Sequence, residues 1–314
     1  MLTEPITDRR AWRADTIDRC AQWYWPLSDR CVAAIVDAIS RLRTVARPIA
    51  QTRVADFALA DRRDELRGVI ESLESGRGFA VVRGLAGAMP REDWTAAYWL
   101  VGQLLGEPVE QNVEGTLLYD VRDTGQDVRY GARFSVTNAE SSFHTDNSFG
   151  ERITDYVGLL CLNTARSGGL SQMVSGIAVH NDLLDRDRRL LAELYAPFHI
   201  DRRGGVRPGD DATVRFPVFA WDSRELQLRY LRYWIEAGHE KAAVPLTASQ
   251  RAALDLVDQV ANDRRLQVEF ALEPGDMYFI NNRWILHNRT AFEDHDVPEL
   301  RRHLVRLWLR AHHA

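Results

Sequence analysis

Residues 143–162 read FHTDNSFGERITDYVGLLCL and join a possible metal-binding motif to an apolar run typical of a buried strand. His144 and Asp146 are separated by one residue, and in an extended strand such side chains point to the same side. A second imidazole from elsewhere in the chain could complete a face of two histidines and one carboxylate. Such a face leaves the other coordination positions of a metal open, as in non-haem Fe(II) oxygenases.

The His-x-Asp pattern occurs three times, so its context has to distinguish the copies. His180 and Asp182 lie in a segment whose apolar spacing favours a short helix, where such residues diverge by roughly 200° and cannot chelate one metal. His199 and Asp201 could be extended, but the arginines and glycines that follow them are typical of a turn or loop. Context therefore favours the copy that begins at His144.

A second informative region runs from residue 275 to residue 310. It reads GDMYFINNRWILHNRTAFED at 275–294 and RRHLVRLWLR at 301–310, and it contains His287. The period-two spacing of a strand places Arg302, Leu304 and Arg306 on one face, so that two arginines point in the same direction.

These motifs occur in an order that resembles the Fe(II)/2-oxoglutarate-dependent dioxygenases of the taurine dioxygenase and clavaminate synthase-like family, over roughly residues 78–310. The resemblance implies a mainly β fold with added helices (α+β), built on a double-stranded β-helix (jelly-roll) core. It also implies that His144, Asp146 and His287 hold the iron. A carboxylate at Asp146 favours hydroxylation or desaturation, because related halogenases have a small residue at that place.

The resemblance also assigns residues to the cosubstrate and the substrate. Arg302 matches the arginine that pairs with the distal carboxylate of 2-oxoglutarate, for which a planar guanidinium is well shaped. Ser171 matches a hydroxyl that supports the same carboxylate, where family members usually have Thr. Arg306 matches a position that in several members faces the acidic group of the primary substrate or the cosubstrate. Simpler roles remain open: a solvated arginine at Arg302, a turn residue at Ser171 and a brace for the core or for the C1 carboxylate of 2-oxoglutarate at Arg306.

Composition agrees with an enzyme that acts on small molecules. The chain has 314 residues, 45% of them hydrophobic, and a net charge of −5, which gives no basic field for nucleic acid. Three cysteines do not make a disulfide framework, and the sequence shows neither an apolar leader nor a membrane span. We expect a cytoplasmic protein without nucleic-acid or membrane partners, in which a homo-oligomer is possible.

The chain is expected to form one domain over residues 1–314, with a helical N-terminal elaboration at 1–77 and the jelly-roll core at 78–310. Predicted helices follow Ser28, span 56–73, begin near Pro90 and span 247–262. Strands are expected around His144, at 155–162 and at 302–310, among others. The polar stretch near 123–142 is long for a loop, and we interpret it as a lid over the substrate.

The sequence therefore predicts an iron- and 2-oxoglutarate-dependent dioxygenase that uses O₂ to hydroxylate an unactivated C–H bond and releases succinate and CO₂. The expected substrate is a small polar molecule, anionic or derived from an amino acid. Three alternatives remain: a catabolic dioxygenase for sulfonates or sulfates, a desaturase or cyclase with the same iron site, and a jelly-roll protein that binds a metabolite without turnover.

Overall fold

The computed structural model describes residues 1–44, 47–126, 136–138, 141–202, 206 and 209–312. Within these ranges there are seven α-helices: α1 Asp29–Thr44, α2 Arg67–Glu74, α3 Trp94–Leu105, α4 Gly176–Arg186, α5 Arg188–Glu193, α6 Arg232–Lys241 and α7 Ala248–Ala261. The same ranges contain sixteen strands: β1 Tyr24–Pro26, β2 Phe79–Arg83, β3 Gly106–Val109, β4 Leu118–Val121, β5 Tyr156–Asn163, β6 Ser167–Gly168, β7 Ser171–Ser175, β8 Pro197–Asp201, β9 Thr213–Pro217, β10 Phe219–Trp221, β11 Leu226–Leu228, β12 Gln267–Phe270, β13 Met277–Asn281, β14 Ile285–Arg289, β15 Phe292–Glu293 and β16 His303–Ala311.

Two sheets form the centre of the fold. The large sheet has seven strands in the order β1-β2-β13-β5-β16-β3, and β4 also pairs with β16. Its pairs are antiparallel except for β1 with β2. The small sheet has the order β12-β7-β14 and is antiparallel throughout. This mixed α+β arrangement agrees with the predicted fold class.

Alternate residues of the large sheet enter two different cores, as the pleat of a strand requires. Phe79 and Tyr278 belong to the core that also contains Met173, Val174 and Leu286 of the small sheet. The neighbouring residues of β2 and β13 point to the opposite face of the sheet. They form a second core with helices α1, α2 and α3. The large sheet is therefore covered on both faces, and its interior face looks toward the small sheet.

The helix predictions are correct where an N-terminal cap accompanies the apolar period. The Ser28 hydroxyl accepts a hydrogen bond from the Cys31 N–H before the body of α1, and Thr247 caps α7 by accepting from the Gln250 N–H. The prediction of one helix over 56–73 is wrong. The chain forms 3₁₀ turns up to Leu66, and Ala58 has a left-handed backbone with φ 54°, which interrupts the helix until α2 begins.

Two expectations about strands need correction. The segment around His144 forms no strand; its only ladder contact in the described part of the chain is an isolated antiparallel bridge to His287. Strands β7 and β14 were not predicted, although they form two thirds of the small sheet. Both are five residues long and carry polar side chains, so their pairing with each other determines their structure more than their own sequences do.

The N-terminal segment 1–77 is not purely helical. It supplies strand β1 to the edge of the large sheet, and its Trp12 and Trp23 are buried in the core shared with the small sheet. Of the proposed lid at 123–142, residues 127–135 and 139–140 lie outside the described residues. Among the helices of the described chain, none has the length and apolar character needed to cross a membrane.

Candidate active site

The two predicted histidine ligands are joined through their backbones. His144 N–H donates to the His287 carbonyl and His287 N–H donates to the His144 carbonyl, each over 3.0 Å. The imidazole centroids are 4.4 Å apart. His144 Nδ1 lies 2.8 Å from the Ser142 carbonyl oxygen, to which it can only donate, and this leaves the Nε2 lone pair free to bind a metal.

Asp146 completes the cluster. Its Oδ1 lies 3.7 Å from His144 Nε2 and 3.9 Å from His287 Nε2. The three potential ligand atoms lie within 4.8 Å of one another, and no other set of three such residues in the described chain could share a metal ion. Two imidazole nitrogens and one carboxylate oxygen are a donor set that suits Fe(II).

The second oxygen of Asp146 is held by the large sheet. Oδ2 accepts hydrogen bonds from Trp308 Nε1 at 2.7 Å and pairs with Arg306 Nη1 at 3.1 Å. Asn282 fixes the backbone, because its Oδ1 accepts from the Asp146 N–H and its Nδ2 donates to the Asp146 carbonyl. Oδ1 is therefore the oxygen left to face the imidazoles.

Trp308 and Asn282 were missed at the level of sequence. The period-two row of Arg302, Leu304 and Arg306 could have indicated Trp308, because the next residue of that row is Trp308 itself. No local pattern indicates Asn282, because it is 136 residues away from Asp146 in the sequence.

Electrostatics keep this cluster in the protonation state that a metal needs. Burial disfavours the ionised form of Asp146, but the charges of Arg306, His287 and His144 outweigh it and lower the pKa to about 2. Burial, together with neighbouring His144, lowers the pKa of His287 to about 3, and burial also lowers the pKa of His144. At neutral pH the site presents one carboxylate and two neutral imidazoles.

Arg302 lies in the same cavity and is almost fully buried, with 6% of its surface exposed. Burial lowers the pKa of its guanidinium to about 10. Its guanidinium carbon lies 5.2 Å from the ring centre of Phe292, and its Nη1 has no hydrogen-bond partner among the described residues. A buried charged donor without a partner is costly, so this position suits a bound carboxylate.

Ser171 and Arg306 also line this cavity, which has a volume of about 130 Å³. Ser171 is buried at the start of β7. Arg306 is already committed to two protein partners: besides Asp146, its Nε donates to Gln111 Oε1 over 2.7 Å. The amide of Gln111 donates in turn to the carbonyls of Leu117 and Arg306.

The other two His-x-Asp copies lie outside the cavity. His180 is on α4, fully buried, with its Nε2 2.8 Å from the Tyr195 hydroxyl. His199 lies in a strand, β8, which agrees with the extended backbone that the sequence allowed. Its neighbour Asp201 is buried and pairs with Lys241 Nζ at 2.7 Å.

Comparison with known proteins places the chain in a family. The chain matches the model of the taurine catabolism dioxygenase TauD, TfdA family over residues 43–308. It is 29% identical to FR-33289 synthase of Streptomyces rubellomurinus over 98% of this chain and 91% of that protein. It is 26% identical to enduracididine beta-hydroxylase of Streptomyces hygroscopicus over 62% of this chain and 61% of that one.

Among solved structures, an asparagine oxygenase in complex with Fe(II), 3-hydroxyasparagine and succinate superposes with a TM-score of 0.66 and 21% identity, covering 92% of this chain and 93% of that chain. This similarity confirms the predicted α+β jelly-roll fold. Because the family model spans most of the chain, the protein belongs to the taurine catabolism dioxygenase TauD, TfdA family and is a dioxygenase.

Proposed function

We propose that this dioxygenase uses Fe(II), 2-oxoglutarate and O₂ to hydroxylate an unactivated C–H bond of a small, polar molecule that is anionic or derived from an amino acid. Succinate and CO₂ are the coproducts. The observation that carries the proposal is the pairing of two features in one cavity: ligand atoms from two histidines and one carboxylate within 4.8 Å, and a buried guanidinium with an unpaired donor.

The iron would be held by His144 Nε2, His287 Nε2 and Asp146 Oδ1. When bound, it supplies the redox chemistry that activates O₂ and couples decarboxylation of 2-oxoglutarate to oxidation of the substrate. The chain's own residues orient the ligands: the Ser142 carbonyl fixes the His144 ring, and Trp308 holds Oδ2 of Asp146 away from the imidazoles.

Arg302 would bind the distal carboxylate of 2-oxoglutarate through its unpaired Nη1, and the Ser171 hydroxyl would donate to the same carboxylate. Both side chains are buried and line the cavity of the histidine cluster. Burial excludes water from this charge pair and strengthens it, provided that both partners are present.

The substrate assignment draws on the relatives. Enduracididine beta-hydroxylase is by its name a hydroxylase, and the asparagine oxygenase was solved with 3-hydroxyasparagine, a hydroxylated amino acid. Arg306 remains our predicted contact for the substrate's acidic group. Its hydrogen bonds to Gln111 and its ion pair with Asp146 support the alternative, in which Arg306 braces the iron ligand.

The variant Arg306→Lys separates these two roles, because lysine keeps the charge and loses the planar fork. For a substrate role, affinity for the primary substrate should fall while Fe(II) and 2-oxoglutarate bind as in the wild type. A loss of affinity confined to Fe(II) or 2-oxoglutarate would show instead that Arg306 braces Asp146.

We also propose a cytoplasmic location, which the three unpaired cysteines support, since reducing compartments keep thiols free. Sedimentation tests whether the chain forms a homo-oligomer.

The proposed function is tested by anaerobic titration of the protein with Fe(II) and then 2-oxoglutarate, followed by the charge-transfer absorbance of the complex. We expect a saturable band and, on admission of air, formation of succinate. Absence of both in the reconstituted wild type would refute the proposal. His144→Ala is the matched negative control, because it removes one ligand and leaves Arg302 in place.

A further inference from the structure

Arg302, the proposed partner of the cosubstrate, is supported from outside the active-site cavity. Its backbone N–H donates to Asp294 Oδ1 over 2.7 Å, which fixes the chain just before β16 begins. Its guanidinium carbon lies 5.2 Å from the ring centre of Phe292. Arg302 is one of the described residues that line the cavity, whereas Asp294 and Phe292 are not. These two residues therefore stand behind Arg302 as it faces the cavity.

Phe292 is buried, yet it is not part of either apolar core of the described chain. Its ring lies near two guanidinium groups, that of Arg302 and that of Arg289, whose guanidinium carbon is 4.6 Å from the ring centre. A guanidinium that stacks on an aromatic face gains an electrostatic attraction, which is largest where water is excluded. The contacts of Phe292 are thus those of a support for arginine side chains.

Gly169 supports the stem of Arg302. It has a left-handed backbone with φ 68°, and a methyl group on its Cα would lie 3.2 Å from Arg302 Nε and 3.4 Å from Arg302 Cδ. The same methyl group would lie 3.5 Å from Phe292 Cβ. The distance to Nε is shorter than an ordinary van der Waals contact, so glycine leaves room for the arginine as it stands. We call Gly169 and Phe292 the seat of Arg302.

The seat is joined to the strand that carries a proposed iron ligand. Phe292 begins β15, which pairs with β6 and follows shortly after β14, the strand of His287. Gly169 N–H donates to the Ala291 carbonyl over 3.2 Å, which ties the other half of the seat to the same stretch of chain. One short, hydrogen-bonded segment therefore fixes the seat of Arg302 relative to His287.

A fixed separation between the two ends of a site selects the length of its ligand. Under the proposed function, on which this inference rests, the cluster that contains His287 receives the 2-oxo acid end of the cosubstrate, and Arg302 receives the distal carboxylate. In a close-fitting pocket one added or missing methylene changes affinity by about 10- to 200-fold. The position of the guanidinium would then decide which 2-oxo dicarboxylic acid fits.

We propose that Gly169 and Phe292 determine the chain length of the cosubstrate, by setting how far the Arg302 guanidinium reaches into the cavity. As the seat stands, it selects five-carbon 2-oxoglutarate over four-carbon oxaloacetate and six-carbon 2-oxoadipate. A smaller side chain in place of Phe292 leaves space into which the guanidinium can retreat, and this lengthens the site. A side chain in place of Gly169 pushes the arginine toward the cavity, and this shortens the site.

The test compares the affinities of the three 2-oxo acids. Each acid is freshly dissolved and titrated into the anaerobic Fe(II) protein while the charge-transfer absorbance is followed, so that binding is measured without turnover. For the wild type we expect 2-oxoglutarate to bind at least about tenfold more tightly than either homologue, a factor that corresponds to about 1.4 kcal/mol. Equal affinities for the three acids would overturn the proposal.

Phe292→Ala should raise the affinity of 2-oxoadipate relative to that of 2-oxoglutarate by at least about tenfold over the wild-type ratio. Phe292→Leu keeps more of the apolar volume and should shift the ratio in the same direction by less, which preserves the test if the alanine variant does not fold. Circular dichroism checks folding. Phe279→Leu is the matched control, because Phe279 is a buried ring beside Tyr98 in the core between sheet and helices. An unchanged ratio in the folded Phe292 variants, even with weaker binding of all three acids, would show that Phe292 only packs and would overturn the proposal.

Gly169→Ala should act in the opposite sense and raise the affinity of oxaloacetate relative to that of 2-oxoglutarate, again by about tenfold. Gly87→Ala is the matched control for backbone strain. Gly87 also has a left-handed backbone, with φ 82°, and a methyl group there would meet none of the described atoms within 4 Å. No shift in Gly169→Ala, or a shift toward the longer acid, would contradict the role of Gly169.

The two proposals fail in different ways. Absence of a charge-transfer band with all three acids in the wild type refutes the proposed function. A normal 2-oxoglutarate band, with a selectivity that the variants of the seat leave unchanged, refutes only the inferred role of the seat.

Discussion

The tripeptides His144-Thr145-Asp146 and His180-Asn181-Asp182 share a pattern and differ in backbone. In the first, a non-helical segment that is bridged to His287 brings His144 Nε2 to 3.7 Å from Asp146 Oδ1. In the second, helix α4 sends His180 into the core, while Asp182 pairs with Arg13 and Arg186. The same residue types at the same spacing thus give either a cluster of potential metal ligands or a packed core, and the conformation of the backbone determines which.

Removing a residue of the first tripeptide should have the largest effect. His144→Ala or Asp146→Ala should abolish Fe(II)-dependent turnover, because each deletes a proposed ligand. Activity is measured after anaerobic reconstitution with metal, and circular dichroism checks that the chain remains folded. Wild-type-like turnover in reconstituted His144→Ala would show that the first tripeptide, like the second, does not bind the metal.

Arg302→Ala tests whether the cavity beside the first tripeptide holds 2-oxoglutarate. Removing one side of a buried charge pair costs on the order of 3 to 5 kcal/mol, so 2-oxoglutarate affinity should fall by at least about two orders of magnitude. The anaerobic absorbance titration measures it. Arg301→Ala is the control, because Arg301 is the exposed neighbour of Arg302. An unchanged binding curve would assign the carboxylate to another basic residue.

Trp308→Phe tests how firmly Asp146 is oriented. The change keeps an aromatic ring and removes the N–H that Asp146 Oδ2 accepts, and such outer contacts are worth about 10- to 100-fold in metal affinity. Fe(II) binding is measured by competition with a chelator. Trp99→Phe is the matched control, since it removes a buried N–H bonded to the Thr52 carbonyl, in the core between sheet and helices. Equal losses in both variants would mean that the effect is one of general packing.

Ser171→Ala should be milder. It removes one hydrogen bond to a charged group, for which the lower end of the usual range is about 1.5 kcal/mol, or roughly a tenfold loss of 2-oxoglutarate affinity. Ser171→Thr restores the hydroxyl and should bind like the wild type. If Ser171→Ala also binds like the wild type, Ser171 is a structural residue of β7.

His180→Gln should change Fe(II) affinity least, by less than about twofold, and should act on stability instead. Burial lowers the pKa of His180 to about 4, below the ordinary value near 6.5. Between these values the unfolded chain binds more protons than the folded one. The stability contribution of neutral His180 is therefore complete above about pH 6.5 and is lost as the pH falls toward 4, by up to about 3 kcal/mol.

Denaturant titrations of wild type and His180→Gln from pH 4 to pH 7 measure this difference, and the variant should show the shallower loss on acidification. An identical pH dependence in the two proteins would show that His180 is not the titrating group.

Prediction from the sequence was most accurate for features that depend on the spacing of residues within one strand or helix. The row of Arg302, Leu304 and Arg306 was predicted on one strand face, and all three residues line the cavity. The cap of α1 at Ser28 and the start of α7 after Thr247 are also local features. Each depends on residues within a few positions of one another, which is the range over which propensity and side-chain direction act.

The parts that sequence reasoning missed depend on distant partners. Strands β7 and β14 have no marked pattern of their own and form through pairing with each other. The hydrogen bonds of Asn282 to Asp146, and of Gln111 to Arg306, join residues 136 and 195 positions apart. No short window contains both partners of such a contact, so the residues that orient the proposed iron ligands were the least predictable part of the site.

The reciprocal backbone hydrogen bonds of His144 and His287 have a consequence for the unfolded chain. These residues bracket well over a hundred residues, including the whole small-sheet strand β7, and the fold brings them together. A metal ion bound by both would act as a reversible cross-link that closes this long loop, with an entropic effect that grows slowly with loop length. The free energy of unfolding would then rise with the concentration of free metal, so that iron supply would govern how long the protein persists in the cell as well as how fast it works.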